Sequence, residues 1–173
     1  MPIIYEMKRI LLLIITGVAL LLSAHSQSMT LIMIQNDSTT GEVREITRLM
    51  ENAILDGFFE AGYIISNEPV LTGGKTDAYT ERLTSAGLGN VTYIIPVTIN
   101  YNEELYKNEG NLYKSVNSVD WEIISVDTFD IAAKGSEYPN ESMNKSTRDI
   151  EKGIAKFSGN IVSSIEESVR KLN

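Results

Sequence analysis

The sequence predicts an α+β domain: a βαβ unit, a short helix, an antiparallel three-stranded meander and a long C-terminal helix, with one mixed sheet and helices packed on it. Three observations carry this. Two long segments repeat apolar residues at three- and four-residue steps, the signature of a one-sided helix. A near-continuous apolar run, Leu31-Ile32-Met33-Ile34, suits a strand buried on both faces. The later apolar segments alternate with period two and are separated by turn residues, as in hairpins. With 173 residues, 43% of them apolar, the chain is long enough for one core without disulfide or metal staples.

The chain opens on an export signal. Met7-Lys8-Arg9 is a basic start, Ile10 to Leu22 is apolar apart from Thr16 and Gly17, and Ser23 to Ser28 is rich in small residues. The apolar run has 13 residues, short of the roughly 20 that a membrane-spanning helix needs. Residues 1–26 therefore read as a signal peptide cut between Ser26 and Gln27, with Met7 as an alternative start. Cutting after Ala24 fits nearly as well, and retention as an anchor is the competing reading. Residues 27–173 form the single domain.

The first strand is central and spans Met29 to Gln35. Thr39 and Glu42 have capping-box spacing, so a helix should begin there and carry Val43, Ile46, Met50, Ala53, Ile54, Gly57, Phe58 and Ala61 inward. Gly62 suits a left-handed cap. Tyr63 to Ser66 is a short strand stopped by Asn67-Glu68-Pro69. Asp77 to Ala86 is a helix with Ala78, Leu83 and Ala86 inward.

From Val91 to Tyr101 a strand puts Tyr93, Ile95, Val97, Ile99 and Tyr101 on one face, and Ile94, Pro96, Thr98 and Asn100 on the other. Pro96, lacking an amide hydrogen, marks an edge or a bulge. Val119 to Val126 and Ile131 to Ser136 complete the meander around the turn Asp127-Thr128-Phe129-Asp130. Ser146 and Asp149 can cap the last helix, whose stripe is Ile150, Ile154, Phe157, Ile161, Ile165, Val169 and Leu172.

Composition narrows the function. The acids number 23 against 15 Lys and Arg, a formal charge of -8, and removal of Glu6, Lys8 and Arg9 with the leader makes the remainder more acidic still. Nucleic-acid backbones and anionic membranes demand the opposite sign. There is no cysteine, and the one histidine, His25, lies at the leader's end, so thiol catalysis, imidazole bases and His/Cys zinc sites are excluded from the domain. No cofactor and no metal are expected. Thr72-Gly73-Gly74-Lys75-Thr76 imitates a phosphate loop, but Pro69 stands where its leading glycine belongs. The carboxylates Asp37, Glu103, Glu104, Glu109, Asp127 and Asp130 read as loop charges, and Ser85 and Ser158 lack an activating base.

The linker from Asn102 to Ser118 holds 17 residues, whereas hairpin loops are about 2–5. It should protrude. Tyr101, Tyr106, Leu112 and Tyr113 put apolar-bodied side chains into a charged stretch there, as a partner-contact site requires.

The strand Leu31-Ile32-Met33-Ile34, the helix stretch Met50 to Phe58 leading through Gly62-Tyr63-Ile64-Ile65, and the hairpin segment Trp121 to Thr128 resemble a group of small bacterial envelope domains. The group comprises the curli-secretion lipoprotein CsgG, the penicillin-binding-protein activator LpoB and the N-terminal domain of TolB. The resemblance implies binding or ring assembly without catalysis. The chain departs from the group in lacking a lipobox cysteine and a propeller. The expectation is an exported, non-catalytic envelope protein, periplasmic or secreted, that binds another envelope protein or assembles with itself and meets the membrane only through its leader. The alternative is a periplasmic small-molecule or glycan-binding module.

Overall fold

A computed structural model describes residues 27–74, 77–102, 112–140 and 150–172. The elements follow as β1 (Ser28–Asn36), α1 (Glu45–Glu60), β2 (Ile64–Thr72), α2 (Asp77–Gly87), β3 (Tyr93–Tyr101), α3 (Leu112–Ser115), β4 (Val116–Ser125), β5 (Ile131–Glu137) and α4 (Ile150–Leu172). The five strands form one sheet in the order β2-β1-β3-β4-β5. β1 pairs in parallel with both β2 and β3, and the β3-β4 and β4-β5 pairs are antiparallel. The architecture is the α+β arrangement expected, with β1 an interior strand between β2 and β3.

The chain leaves β1 in one direction to reach β2 and returns past it to reach β3. Crossovers between parallel strands are right-handed almost without exception, so reversing the direction of travel moves the connecting helix to the other face. The two cores agree. On one face Met29, Leu31 and Met33 of β1 and Tyr93, Ile95, Val97 and Ile99 of β3 meet Ile46, Met50, Ile54 and Phe58 of α1 and Ile154, Phe157, Ile161 and Ile165 of α4. On the other, a smaller cluster joins Ile32, Ile34, Leu71, Ile94 and Ile124 to Ala86 of α2, with Tyr79 and Leu83 packed against it. α1 and α4 touch closely enough that a Cβ on Gly57 would stand 3.0 Å from Val162 Cγ2.

Several boundaries differ from the sequence reading for physical reasons. α1 starts at Glu45, and its N-cap Arg44 makes no side-chain cap bond. The Thr39/Glu42 capping box does not form: Thr39 bonds instead to Asp37, and the Glu42 amide donates to Thr40 Oγ1 at 3.0 Å. β2 runs through Pro69 to Thr72, because β2 is an edge strand and the register shifts opposite Ile32–Ile34, where the missing amide hydrogen costs no ladder bond. Pro96 lies in an interior strand, not at an edge or a bulge; the ladder with β4 passes from Ile94↔Ile124 to Val97↔Trp121 without the two pairs between. In α2, Tyr79 turns inward and Ala78 is exposed. β4 begins at Val116, three residues earlier than expected, directly after the single turn of α3. Gly62 adopts the left-handed cap conformation, φ 86°. No described helix is long and apolar enough to cross a membrane.

Candidate functional site

α2 covers only the part of its face over β2, β1 and the start of β3. Beyond it the sheet carries polar residues at period two: Thr98 and Asn100 on β3, Ser118, Asp120 and Glu122 on β4, Lys134 and Ser136 on β5. Register sets them side by side, Thr98↔Asp120, Asn100↔Ser118, Asp120↔Ser136 and Glu122↔Lys134. Thr98, Asp120, Glu122, Lys134 and Ser136, together with Pro96 and with Asn36, the last residue of β1, line an open depression of about 650 Å³.

Hydrogen bonds fix this surface. Asn36 Nδ2 donates to Asn100 Oδ1 at 2.8 Å, and Asn100 Nδ2 donates to Asp120 Oδ2 at 2.7 Å and to Ser118 Oγ at 2.9 Å. Ser136 Oγ donates to the second Asp120 oxygen at 2.6 Å. At its rim Tyr79 OH reaches Glu122 Oε2 at 3.4 Å, and burial together with that carboxylate raises the phenol far above its ordinary range. Gly74, at φ 81°, places its backbone where a Cβ would approach Asn36 Oδ1 to 3.2 Å. The depression stands toward the carboxyl ends of β1 and β3, where the strand order turns back. In open α/β sheets that crevice is where ligands bind.

A second polar network closes the β1–α1 passage. Gln35 is fully buried; its Nε2 donates to the Glu42 carbonyl at 2.8 Å, and its Oε1 accepts from the Arg44 amide at 2.8 Å and from Thr47 Oγ1 at 2.9 Å. Thr47 Oγ1 and Tyr101 OH are 3.0 Å apart. Arg44 is ion-paired with Asp37 and lies 5.2 Å from the Tyr101 ring centre, in cation–π position. Burial works to raise the Asp37 pKa, but hydrogen bonds from Arg44 and Thr39 and the Arg44 charge outweigh it and hold the carboxyl below its ordinary value. Burial pushes the Tyr101 phenol up to about 12. These groups are satisfied by one another, so the network is a structural clasp.

The four expected contact residues separate. Tyr101 is in the core at 6% exposed, committed to Thr47 and Arg44, and Leu112 is fully buried. Neither offers surface to a partner, because α1 and α4 cover the sheet face they sit on. Tyr113 is exposed, and Tyr106 lies outside the described residues. So do Ser26 and the leader, Glu103, Glu104, Glu109, and Lys75-Thr76 of the glycine turn; Gln27 is the first described residue. Asp37 is the buried ion-pair partner, and Asp127 and Asp130 flank the exposed β4–β5 turn, where Phe129 takes φ 57°. Among the described residues no three carboxylates or histidines are grouped to hold a metal. The Asn36–Asn100–Asp120–Ser136 chain was visible only as a hint: Thr98 and Asn100 fall on the polar half of an otherwise apolar strand face, but the pairing of β4 and β5 that completes it is a tertiary fact.

Residues 28–170 match a protein-family model described as "Uncharacterised protein", and the chain belongs to that family. No curated protein sequence matches it. Among solved structures, a Xanthomonas campestris protein of the DUF330 family shares the fold, with TM-score 0.50, 9% identity, and coverage of 86% of this chain and 87% of that one. The PelC dodecamer from Paraburkholderia phytofirmans matches with TM-score 0.46 and 13% identity over 80% of this chain and 86% of that one.

Proposed function

We propose that this is an exported envelope protein, periplasmic or secreted, that acts by binding another protein or assembling with it and carries out no chemistry of its own. The observation that carries the reading is the polar depression. Small-molecule pockets are concave, mostly apolar, and bury about 70–90% of their ligand. This surface is open and polar, and Asn and Ser hydrogen bonds engage both Asp120 oxygens, which suits a flat partner surface better than an enclosed ligand or a carboxylate that must move protons. The leader-like segment 7–26 supports export, and the DUF330 likeness is of a fold compatible with it.

The test is affinity capture from envelope extracts with the intact protein and two charge-reversal variants, Asp120→Lys and Lys134→Glu. Both side chains reach the depression from strands whose cores lie on the opposite face. Loss of a reproducible partner in variants that keep the parent melting temperature supports the reading. Equal capture by parent and variants rejects the depression as the contact. A saturable thermal shift with soluble glycans, and no captured protein, would favour the ligand-binding alternative.

A further inference from the structure

Of the three longer helices, α2 is the most lightly held. Of its eleven residues only Ala86 is buried, with Tyr79 and Leu83 packed in part, whereas α1 and α4 each send a continuous stripe into the larger core. A helix shorter than about 12–15 residues is marginal in water without such packing. Three contacts at its rim fasten it instead: Tyr79 OH on Glu122 Oε2 at 3.4 Å, Arg82 Nη1 on Glu68 Oε2 at 3.1 Å, and the Phe129 ring over Gly87. The ion pair is open to solvent, with Arg82 37% exposed, and contributes little. The chain is anchored on both sides of α2. Before it the Gly74 amide donates to the Gln35 carbonyl at 3.2 Å, and after it the Thr92 amide donates to the Ser28 carbonyl at 2.8 Å. Gly73 and Gly74 take φ 82° and 81°, a region that costs glycine little, so the entry turn can change direction cheaply.

What α2 covers is continuous with the depression. On β3 the covered Ile94 precedes Pro96 and Thr98 at two-residue steps, on β4 the covered Ile124 follows Asp120 and Glu122, and Ile94 pairs with Ile124. One floor is apolar under the helix and polar beyond it. Ile94 is fully buried and Ile124 nearly so, and lifting α2 bares an apolar strip that Ile32 and Ile34 complete. Glu122 links the two halves, since it lines the depression and accepts from Tyr79 of the cover. The described lining carries two carboxylates, Asp120 and Glu122, against one ammonium, Lys134, so its charge favours a cationic side chain. Asp120 is held through both oxygens, by Asn100 at 2.7 Å and Ser136 at 2.6 Å, whereas the Tyr79 bond to Glu122 is longer at 3.4 Å and easier to exchange.

We propose that α2 is a hinged cover, latched by Tyr79 on Glu122 and released when a cationic side chain of the partner takes Glu122, so that contact spreads from the polar depression onto the apolar strip beneath the helix. Use of the strip rests on the reading of the depression as a contact surface; the opening is a property of the chain alone. The sequence contains no cysteine, so one introduced thiol reports one position. Ile94 and Ile95 are neighbours on β3, both fully buried, the first in the cluster under α2 and the second in the cluster under α1 and α4. Full-length Ile94→Cys and Ile95→Cys variants are reacted with the neutral reagent 4,4′-dithiodipyridine. The expected result is a rate at position 94 at least about tenfold above that at 95 and nearly independent of low urea, as local opening requires. Tyr79→Phe and Glu122→Ala should each raise the rate at 94 about fivefold, the worth of one hydrogen bond, with no further gain from the pair and no change at 95. Pentalysine should accelerate position 94 in the parent background and not in Glu122→Ala. Equal rates at 94 and 95, latch variants that leave 94 unchanged, or acceleration by pentalysine regardless of Glu122 would each overturn the proposal. If a thiol variant loses its cooperative melt, hydrogen exchange on the cysteine-free chain decides: the α2 amides must open with a smaller urea slope than those of α1, and equal slopes overturn the cover. Failed capture from envelope extracts moves none of these rates, so the two readings fail separately.

Discussion

Asp37 shows how one carboxylate ties local sequence to stability. It sits just past β1, accepts from Thr39 and is paired with Arg44, whose amide is in turn bound by Gln35. A carboxyl held below its ordinary value adds stability that is complete above the unfolded value, about 3.9, and is lost as pH falls through the folded one. Urea midpoints from pH 7 to 3 should therefore fall more steeply for the parent than for Asp37→Asn at the acid end. Asp37→Ala, which strands Arg44 in a largely buried position, should cost about 3–5 kcal/mol at neutral pH. A second position is set by space. A Cβ on Gly135 would enter the Trp121 indole, 2.7 Å from Cε2, and the indole is buried beneath it. Gly135→Ala should lose about 1–3 kcal/mol by overpacking, read from denaturant midpoints followed by the emission of this single tryptophan.

Among the helices and strands, legibility followed burial. α1 and α4 bury one wide stripe each, and the three-to-four-residue spacing placed Ile46, Met50, Ile54, Phe58, Ile154, Phe157, Ile161 and Ile165 inward, where they are found. Phe58 and Phe157 are fully buried in the same cluster. Either changed to Ala should cost about 3–5 kcal/mol, measured by chemical denaturation with a monomer check by sedimentation. Unchanged stability with a change in oligomer size would assign that stripe to an interface instead. The sequence was less informative where pairing partners decide. Nothing local announces that β2 continues through Pro69, since the allowance comes from its edge position; nothing local places Pro96 in the interior, since the partners of β3 are 64 residues upstream and 15 to 32 downstream. Tyr101 was read correctly as facing the same way as Ile99 and wrongly as surface, because only the tertiary placement of α1 and α4 decides which face of the sheet is covered.

At the level of the assembled domain, the division of labour between the two sheet faces explains why the site was half legible. The face under α1 and α4 is apolar except where Gln35 meets Thr47 near the end of β1, and most of its residues announce themselves by hydrophobicity. The opposite face is apolar only beneath α2, and the polar remainder is built from residues on four strands whose adjacency is set by topology. A Thr98 or an Asn100 in a strand is unremarkable alone. Beside Asp120, Ser136 and Asn36 each becomes part of a fixed hydrogen-bonded surface.

The position of α4 in the chain has a consequence for the order in which the domain can close. Ile154, Phe157, Ile161, Ile165 and Val169 supply one wall of the larger core, and they follow every strand in the sequence. Until that helix has emerged, the sheet face carrying Leu31, Ile95 and Trp121 is covered by α1 alone and the larger core lacks its second wall. A polypeptide threaded amino end first through a secretion pore must stay unfolded until it is through. If the leader-like segment directs export, as proposed, late arrival of the closing helix favours a chain that is still unfolded while it is threaded. A version stopped before Ile150 should accordingly remain protease-sensitive and lack a cooperative melting transition, whereas addition of a synthetic peptide spanning residues 150–172 should restore both resistance and cooperativity.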